Sequence, residues 1–509
     1  MAKAQKSRAS KLRYISTDQL LLEGFSTPFD QTLDPENRWV KMSRIIPWDK
    51  LVRVYSHEMY NRQYGADGIN ARVAIGSIII KHLGDLSDRE TVLQIQENIY
   101  MQYFLGYSSF SKEAPFDPSL MVDFRDRLGK DQINSINEII IKQTQGGNEA
   151  KPTQDASNAN HEDNNKVTST NTDEVTHKGK VILDATACPQ DISYPTDLNL
   201  LNDAREQSER IIDLLYEQGK EEMKKPRTYR KKARRVYLKT AQKKTKTINE
   251  IRKAIGKQLG FINRNISNIH KLLDQYEKTP LNQHDRKMLM VMQTLYDQQR
   301  EMHTNKTHSV EHRIVSIHQP HVRPIVRGKT NARVEFGAKI NVSMMAGFAF
   351  LDDLEWEAYN EGTRLQSSVE KYKKRFGYYP QEVLADKIYC NRENRAWLKT
   401  LGIKLSAKPL GRPSAVEIHI RPGERNPIEG KFGQAKVAYG MNRIKARLQK
   451  TSESWIASII MVLNLVKLTG MVPYCLFRKI TTFSLYLLQS TMSWTINLWR
   501  LLKFSYSLT

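Results

Sequence analysis

VILDATA, residues 181–187, is the stretch on which the fold turns. A short apolar run that closes on an acid reads as a buried strand carrying a carboxylate to a sheet edge, and it opens a new domain. EVLAD, residues 382–386, repeats the pattern, so Asp184 and Asp386 each follow buried strand residues. Further strand signals stand at RIVSI (313–317), RPIVRG (323–328) and ARVEFGAKINVSMMAGFAFL (332–351), and IKLSAKP (403–409) follows a predicted helix at 391–401. Strands first and then alternating strand and helix predict a mixed α/β (α+β) domain over 181–470, a sheet covered by helices. Residues 203–312 interrupt it with charged helix formers at heptad-like apolar spacing. They include KKPRTYRKKARRVYLKTAQKKTK, twelve Lys or Arg between 224 and 246 with no acid.

Upstream, residues 69–143 are expected to be helical. Val73, Ile75, Ile78, Ile79 and Leu83 give one apolar face, and SDRE (87–90) is a capping box opening a second helix. Asp117 before Pro118 predicts the N-cap of a third. With a basic arm, residues 1–143 are expected to form an all-helical N-terminal domain, a pattern that many DNA-binding modules share with any small helical bundle. The polar stretch 144–180, in which Val167 and Val175 are the large aliphatics of its 145–180 core, buries too little to order itself and is expected to be a disordered linker. Residues 480–499 carry no charge, but nine of the twenty are Thr, Ser, Gln or Asn, so 471–509 reads as an apolar helical tail and not as a membrane span.

The 509-residue chain carries a formal net charge of +24, an excess that attracts polyanions, nucleic acid first among them. Its three cysteines, Cys188, Cys390 and Cys475, lie far apart in no CxxC pair, which argues against disulfides and a cysteine zinc site. No apolar secretory region follows the N-terminal charges. A cytoplasmic, nucleoid-associated protein is expected.

RNPIEGKFGQAKVAYGMNRIKARLQK (425–450) holds seven basic residues and one acid, Glu429. Read as one helix, it puts Glu429, Phe432, Lys436 and Arg443 on one face, with Arg425 one turn before. Hard oxygen ligands on separate rigid elements, Asp184, Asp386 and Glu429, are what a pair of Mg²⁺ ions requires to activate water against a phosphodiester. The surrounding cations would then face phosphates. Candidate DNA contacts are Arg425, Lys431, Lys436 and Arg443 here, and Arg230, Lys231, Lys232, Arg234 and Arg235 in the basic run.

Arg425, Glu429 and Lys436, spaced R, three, E, six, K, together with the two aspartates resemble the DDE transposases of bacterial insertion sequences. DATACPQDISYPTDLNLLNDARE (184–206), RPIVRGKTNARVEFGAK (323–339), EVLADKIYCNREN (382–394) and NPIEGKFGQAKVAYGMNRIKARL (426–448) resemble the InsH-like, IS-five-type branch, as do LSDRE (86–90) and FLG (104–106). The resemblance spans roughly residues 50–130 and 181–465 in the family's order. It implies an RNase H-like catalytic domain with a helical insertion, two Mg²⁺ with Mn²⁺ as substitute, nicking at terminal inverted repeats, and attack of the freed 3′-hydroxyl on target DNA. It also implies at least a homodimer in the synaptic complex. One position departs: the family's tyrosine three residues before Arg425 is Pro422.

Two other readings compete. One is a non-mobile DNA-binding protein derived from a transposase. The other rests on HSVEH (308–312), which matches a zinc-peptidase pattern that needs both histidines on one helix face. Asp197, Asp352 and Asp353 are rival acids that turn chemistry explains, and Trp397 reads as core.

Overall fold

The structure is a computed structural model that describes residues 29, 32–57, 68–146, 177–219, 224–326, 334–407 and 423–470. The expected linker, except for its two ends, as well as Pro422, Cys475 and the 471–509 tail lie outside these residues. Among the described residues the helices α1 (Arg38–Ile45), α2 (Trp48–His57), α3 (Ala71–Gly84), α4 (Asp88–Glu97), α5 (Ile99–Phe104), α6 (Leu120–Arg127) and α7 (Lys130–Gly146) precede the sheet. Ser87 caps α4 by accepting the Glu90 amide, as SDRE predicts. α6 starts two residues after the expected point, because Asp117 commits its carboxylate to Ser119 within a turn.

β1 (Lys180–Pro189) is followed by four helices, α8 (Asp197–Gln218), α9 (Arg230–Ala241), α10 (Ile248–Leu273) and α11 (Gln283–Asn305). α8, α10 and α11 pack around their own apolar cluster, in which Ile211, Ile262 and Met292 are fully buried, and α9 lies on α10, where Gln258 donates to Ala233 O at 3.1 Å. The helical block therefore begins at Asp197, earlier than its charge pattern suggests. RIVSI is irregular chain and not a strand; Ile314 and Ile317 are buried by that helical cluster, and Val315 by the main core.

The rest of the sheet is β2 (Arg323–Val326), β3 (Val334–Met345), β4 (Phe348–Glu355), β5 (Glu382–Leu384) and β6 (Lys404–Ser406), with α12 (Leu365–Phe376) and α13 (Arg392–Thr400) between its later strands. α14 (Asn426–Ala438) and α15 (Gln449–Thr469) close the described chain. The sheet runs β2–β3–β1–β5–β6, with β4 also on β3. β1 pairs antiparallel with β3 from Ile182 to Pro189, but parallel with β5 only from Lys180 to Ile182. Between Ile182 and Pro189, where Ile444 docks, the side of β1 that faces β5 is therefore free of ladder partners among the described residues, and Asp184 lies at that opening, mid-strand and not at a strand end.

One face of the sheet packs on α12 and α13 around Val369, Tyr372 and Leu398. The other shares a single core with α14, α15 and the N-terminal helices. α15 is long and apolar enough to cross a membrane, yet most of it is buried inside this core. Asn464 on α15 ties the parts together: its amide bonds Asn137 of α7 at 2.9 Å and both backbone groups of Ala349 on β4, at 2.8 and 2.7 Å. Nearby, Lys81 and Arg125 lie over the Trp455 ring and both pair with Asp88. Burial works against the Asp88 charge, but the two cations outweigh it and hold the carboxyl at about 2.

Asn464→Ala takes the partner from two buried groups, the Ala349 amide and Asn137 Oδ1, and losses of this kind cost about 2–4 kcal/mol. Urea unfolding should report that loss, with the helical and sheet signals changing in one transition because they share a core.

Candidate active site

Asp184, Asp386 and Glu429 line one cavity of about 670 Å³, together with Arg425, Lys436, Lys339 and Glu361. Three elements far apart in the chain supply the expected acids. Asp184 comes from β1, and Asp386 stands two residues past β5, where it caps a short 3-10 turn (Lys387–Tyr389). Glu429 occupies the first turn of α14, where the helix dipole favours a carboxylate. Pro427 at the start of α14 suits a helix opening, where no amide partner is lost.

Arg425 sits between the two aspartates, its Nη2 3.5 Å from Asp184 Oδ2 and its Nη1 3.2 Å from Asp386 Oδ1. Burial pushes the Asp184 carboxyl up to about 6. The Ala185 amide and the Arg425 guanidinium oppose that rise, and the charges of Glu361 and Asp386 add to it. Among the described residues, no three His, Cys, Asp or Glu side chains are drawn together tightly enough to cage a metal. The donor chemistry nevertheless fits a hard divalent ion: carboxylates from rigid elements, one of them ill served by its surroundings when charged.

The remaining expected contacts divide. Lys436 lines the cavity. Lys431 does not: its ammonium donates to the Leu463 carbonyl on α15 at 3.3 Å, and burial lowers its pKa. Arg443 is off the helix, because α14 ends at Ala438 and Gly440 turns the chain with φ of +69°. The following segment docks on the end of β1, Ile444 donating to Pro189 O, and Arg443 pairs with Asp191 at 2.9 Å. The shared helix face expected for Arg443 is thus corrected. In the basic run, Arg230 is held by both oxygens of Asp213 at 2.9 Å. Lys231, Lys232, Arg234 and Arg235 project from α9 exposed, with no acid partner among the described residues.

The rival acids serve structure. Asp197 binds Gln299 and Arg313, Asp352 pairs with Arg375, and Asp353 with Lys371. His308 and His312 lie in an irregular loop beyond α11, and His312 bonds Glu357 at 2.9 Å, so HSVEH lacks the helix its zinc chemistry needs. Trp397 packs against the core beside α12.

Two cavity residues escaped sequence reasoning, Glu361 and Lys339, which pair at 2.9 Å. Buried Asn394 ties the backbone at Glu361 to that at Asp386, donating to Gly362 O at 2.7 Å and to Tyr389 O at 2.9 Å. A Cβ at Gly362 would stand 2.5 Å from Ile388 O, so only glycine lets the two turns approach. Glu355, Glu357 and Glu361 crowd one short stretch, and nothing in the sequence singles out the last.

Comparisons with known proteins bear on this geometry. Residues 27–127 match the family described as Transposase domain (DUF772), and residues 383–466, which include Asp386, Arg425, Glu429 and Lys436, match Transposase DDE domain. The chain is similar to transposases at both ends of its described length. An uncharacterized protein, ORF8 in the nfe locus of Rhizobium meliloti, is 26% identical over 176 residues, 35% of this chain and 73% of that one. No solved structure matches.

Because the folded state raises the Asp184 pKa, it binds the proton more tightly than the unfolded chain does. Stability is therefore lost as pH rises from about 4 to about 6, and the loss is complete above that. Asp184→Asn removes it. In chelator near pH 8 this variant should be more stable than the wild type by on the order of 2 kcal/mol, an advantage that shrinks as pH falls through 6. Urea titrations across pH check this, and an advantage independent of pH would contradict it.

Proposed function

We propose that the protein is a bacterial insertion-sequence transposase of the InsH-like branch. On this reading it nicks DNA at the element's ends and transfers the freed 3′-hydroxyl into target DNA. One observation carries the reading: Asp184, Asp386 and Glu429 meet at one cavity with Arg425 and Lys436, in a chain that matches transposase domains in two segments. The mixed sheet, with three antiparallel strands on one side of β1 and parallel strands on the other, supports an RNase H-like catalytic domain interrupted by α8–α11.

Asp184, Asp386 and Glu429 would hold two Mg²⁺, which when bound stabilise charge on the attacking and leaving oxygens of a phosphodiester. Arg425 and Lys436 hold the phosphate against these acids. Phe432, buried on the same helix face as Glu429, keeps the α14 end of the cavity rigid. α9 tracks the DNA backbone through Lys231, Lys232, Arg234 and Arg235, and the N-terminal helices serve end recognition. Pairing of two ends calls for at least a homodimer on DNA, acting in the cytoplasm at the nucleoid.

Glu429→Gln, Asp184→Asn and Asp386→Asn should each lower nicking about a hundredfold or more while gel-shift affinity persists, with Asp197→Asn as the active control. Dead Asp197→Asn beside active Glu429→Gln would put the chemistry elsewhere.

Replacing Lys231, Lys232, Arg234 and Arg235 with Gln should weaken binding to every DNA sequence alike. The slope of log affinity against log salt should flatten by roughly 0.9 for each phosphate that is no longer neutralised. An unchanged slope would make α9 a solvated face.

A further inference from the structure

Arg425 presents both terminal nitrogens of its guanidinium to Asp184 and Asp386, while its Nε is buried without a partner. The residue immediately precedes α14, one turn ahead of Glu429, at the wall of the cavity. A divalent ion held by the same two aspartates would compete with this guanidinium for their oxygens. A phosphate in the cavity competes from the other side, since the planar fork of arginine suits phosphate as well as carboxylate. Asp386 is half exposed, so the existing pair is partly screened and open to exchange.

We infer that Arg425 couples the two ligands: DNA phosphate draws it off Asp184 and Asp386, so that DNA and the divalent ion each strengthen the other's binding. This rests on the reading of the two aspartates as metal ligands. By linkage the factor is the same in both directions, and couplings of this kind typically amount to about fivefold or more. Without DNA, Arg425 restrains the site from holding metal, which confines a metal-loaded centre to the DNA complex. The exchange breaks and makes ion pairs only.

The test uses the full chain, Ca²⁺ and a short random-sequence DNA duplex. In the wild type at matched ionic strength, Ca²⁺ should raise DNA affinity about fivefold, against the general trend by which cations weaken phosphate binding. In Arg425→Ala, calorimetry without DNA should find Ca²⁺ bound more tightly than in the wild type, and Ca²⁺ should then only weaken DNA binding. Arg425→Lys keeps the charge but loses the fork, so it should fall between, and it covers the case in which the alanine variant fails to fold. Ca²⁺ binding no tighter in Arg425→Ala, or strengthening of DNA binding that survives in it, overturns the inference. Undiminished Ca²⁺ binding in an Asp184→Asn, Asp386→Asn double variant removes the metal reading itself, and this inference with it.

Discussion

The unequal pairing of β1 is the constraint on which the rest depends. Antiparallel hydrogen bonds to β3 run along β1 from Ile182 to Pro189, whereas the parallel ladder to β5 stops at Ile182 and Leu384. A strand held on one side and released on the other opens a crevice where ladder hydrogen bonds end. Asp184 points its charge into that gap, Asp386 stands just beyond the end of β5, and α14 closes the third side with Glu429. Had the parallel ladder run two residues further, the gap between the aspartates would be filled by backbone.

The sheet and the N-terminal helices do not fold as separate beads. α15 is sheathed by α3, α6, α7 and β4; Asn464 bonds Asn137 and Ala349, and the Trp455 ring lies under Lys81 and Arg125. Arg375 adds a second tie, bonding Glu138 of α7 and Asp352 of β4. The surface formed by the N-terminal helices is therefore held at a fixed orientation to the acidic cavity. The α8–α11 block has its own apolar cluster, separate from the core beneath the site.

Much of this was legible in residue order. Apolar β-formers followed by an acid give Asp184 and Asp386, because they bury the backbone and leave the acid to face out, although β1 runs on past Asp184 to Pro189. The helix starts at SDRE and after Asn391 follow from local capping. Apart from the start of α6, what failed depended on contacts distant in sequence. The basic stretch after Tyr439 has helical composition, yet Ile444 is taken up by the end of β1 and pulls Arg443 off the helix. Lys431 reads as a phosphate contact until α15 is laid beside it. Glu361 could not be found at all, since its place follows from Asn394 and Gly362, which draw its turn against that of Asp386. Helical periodicity likewise gave one apolar face for α3, whereas every residue from Ala71 to His82 is buried, and it gave no sign that α15 would be enclosed.

The electrostatics carry the functional weight. An aspartate whose carboxyl is raised to about 6 by burial, beside two more acids and a guanidinium, is unfavourable for folding alone, and on the proposed reading a bound cation would offset that cost. A direct check replaces Mg²⁺ with Fe²⁺ and maps where locally generated radicals cut the protein's own backbone. Cuts are expected in three distant segments at once, around Asp184, Asp386 and Glu429, all suppressed together by excess Mg²⁺. Cuts centred on 308–312, or none that Mg²⁺ protects, would mean that these three acids do not hold the metal.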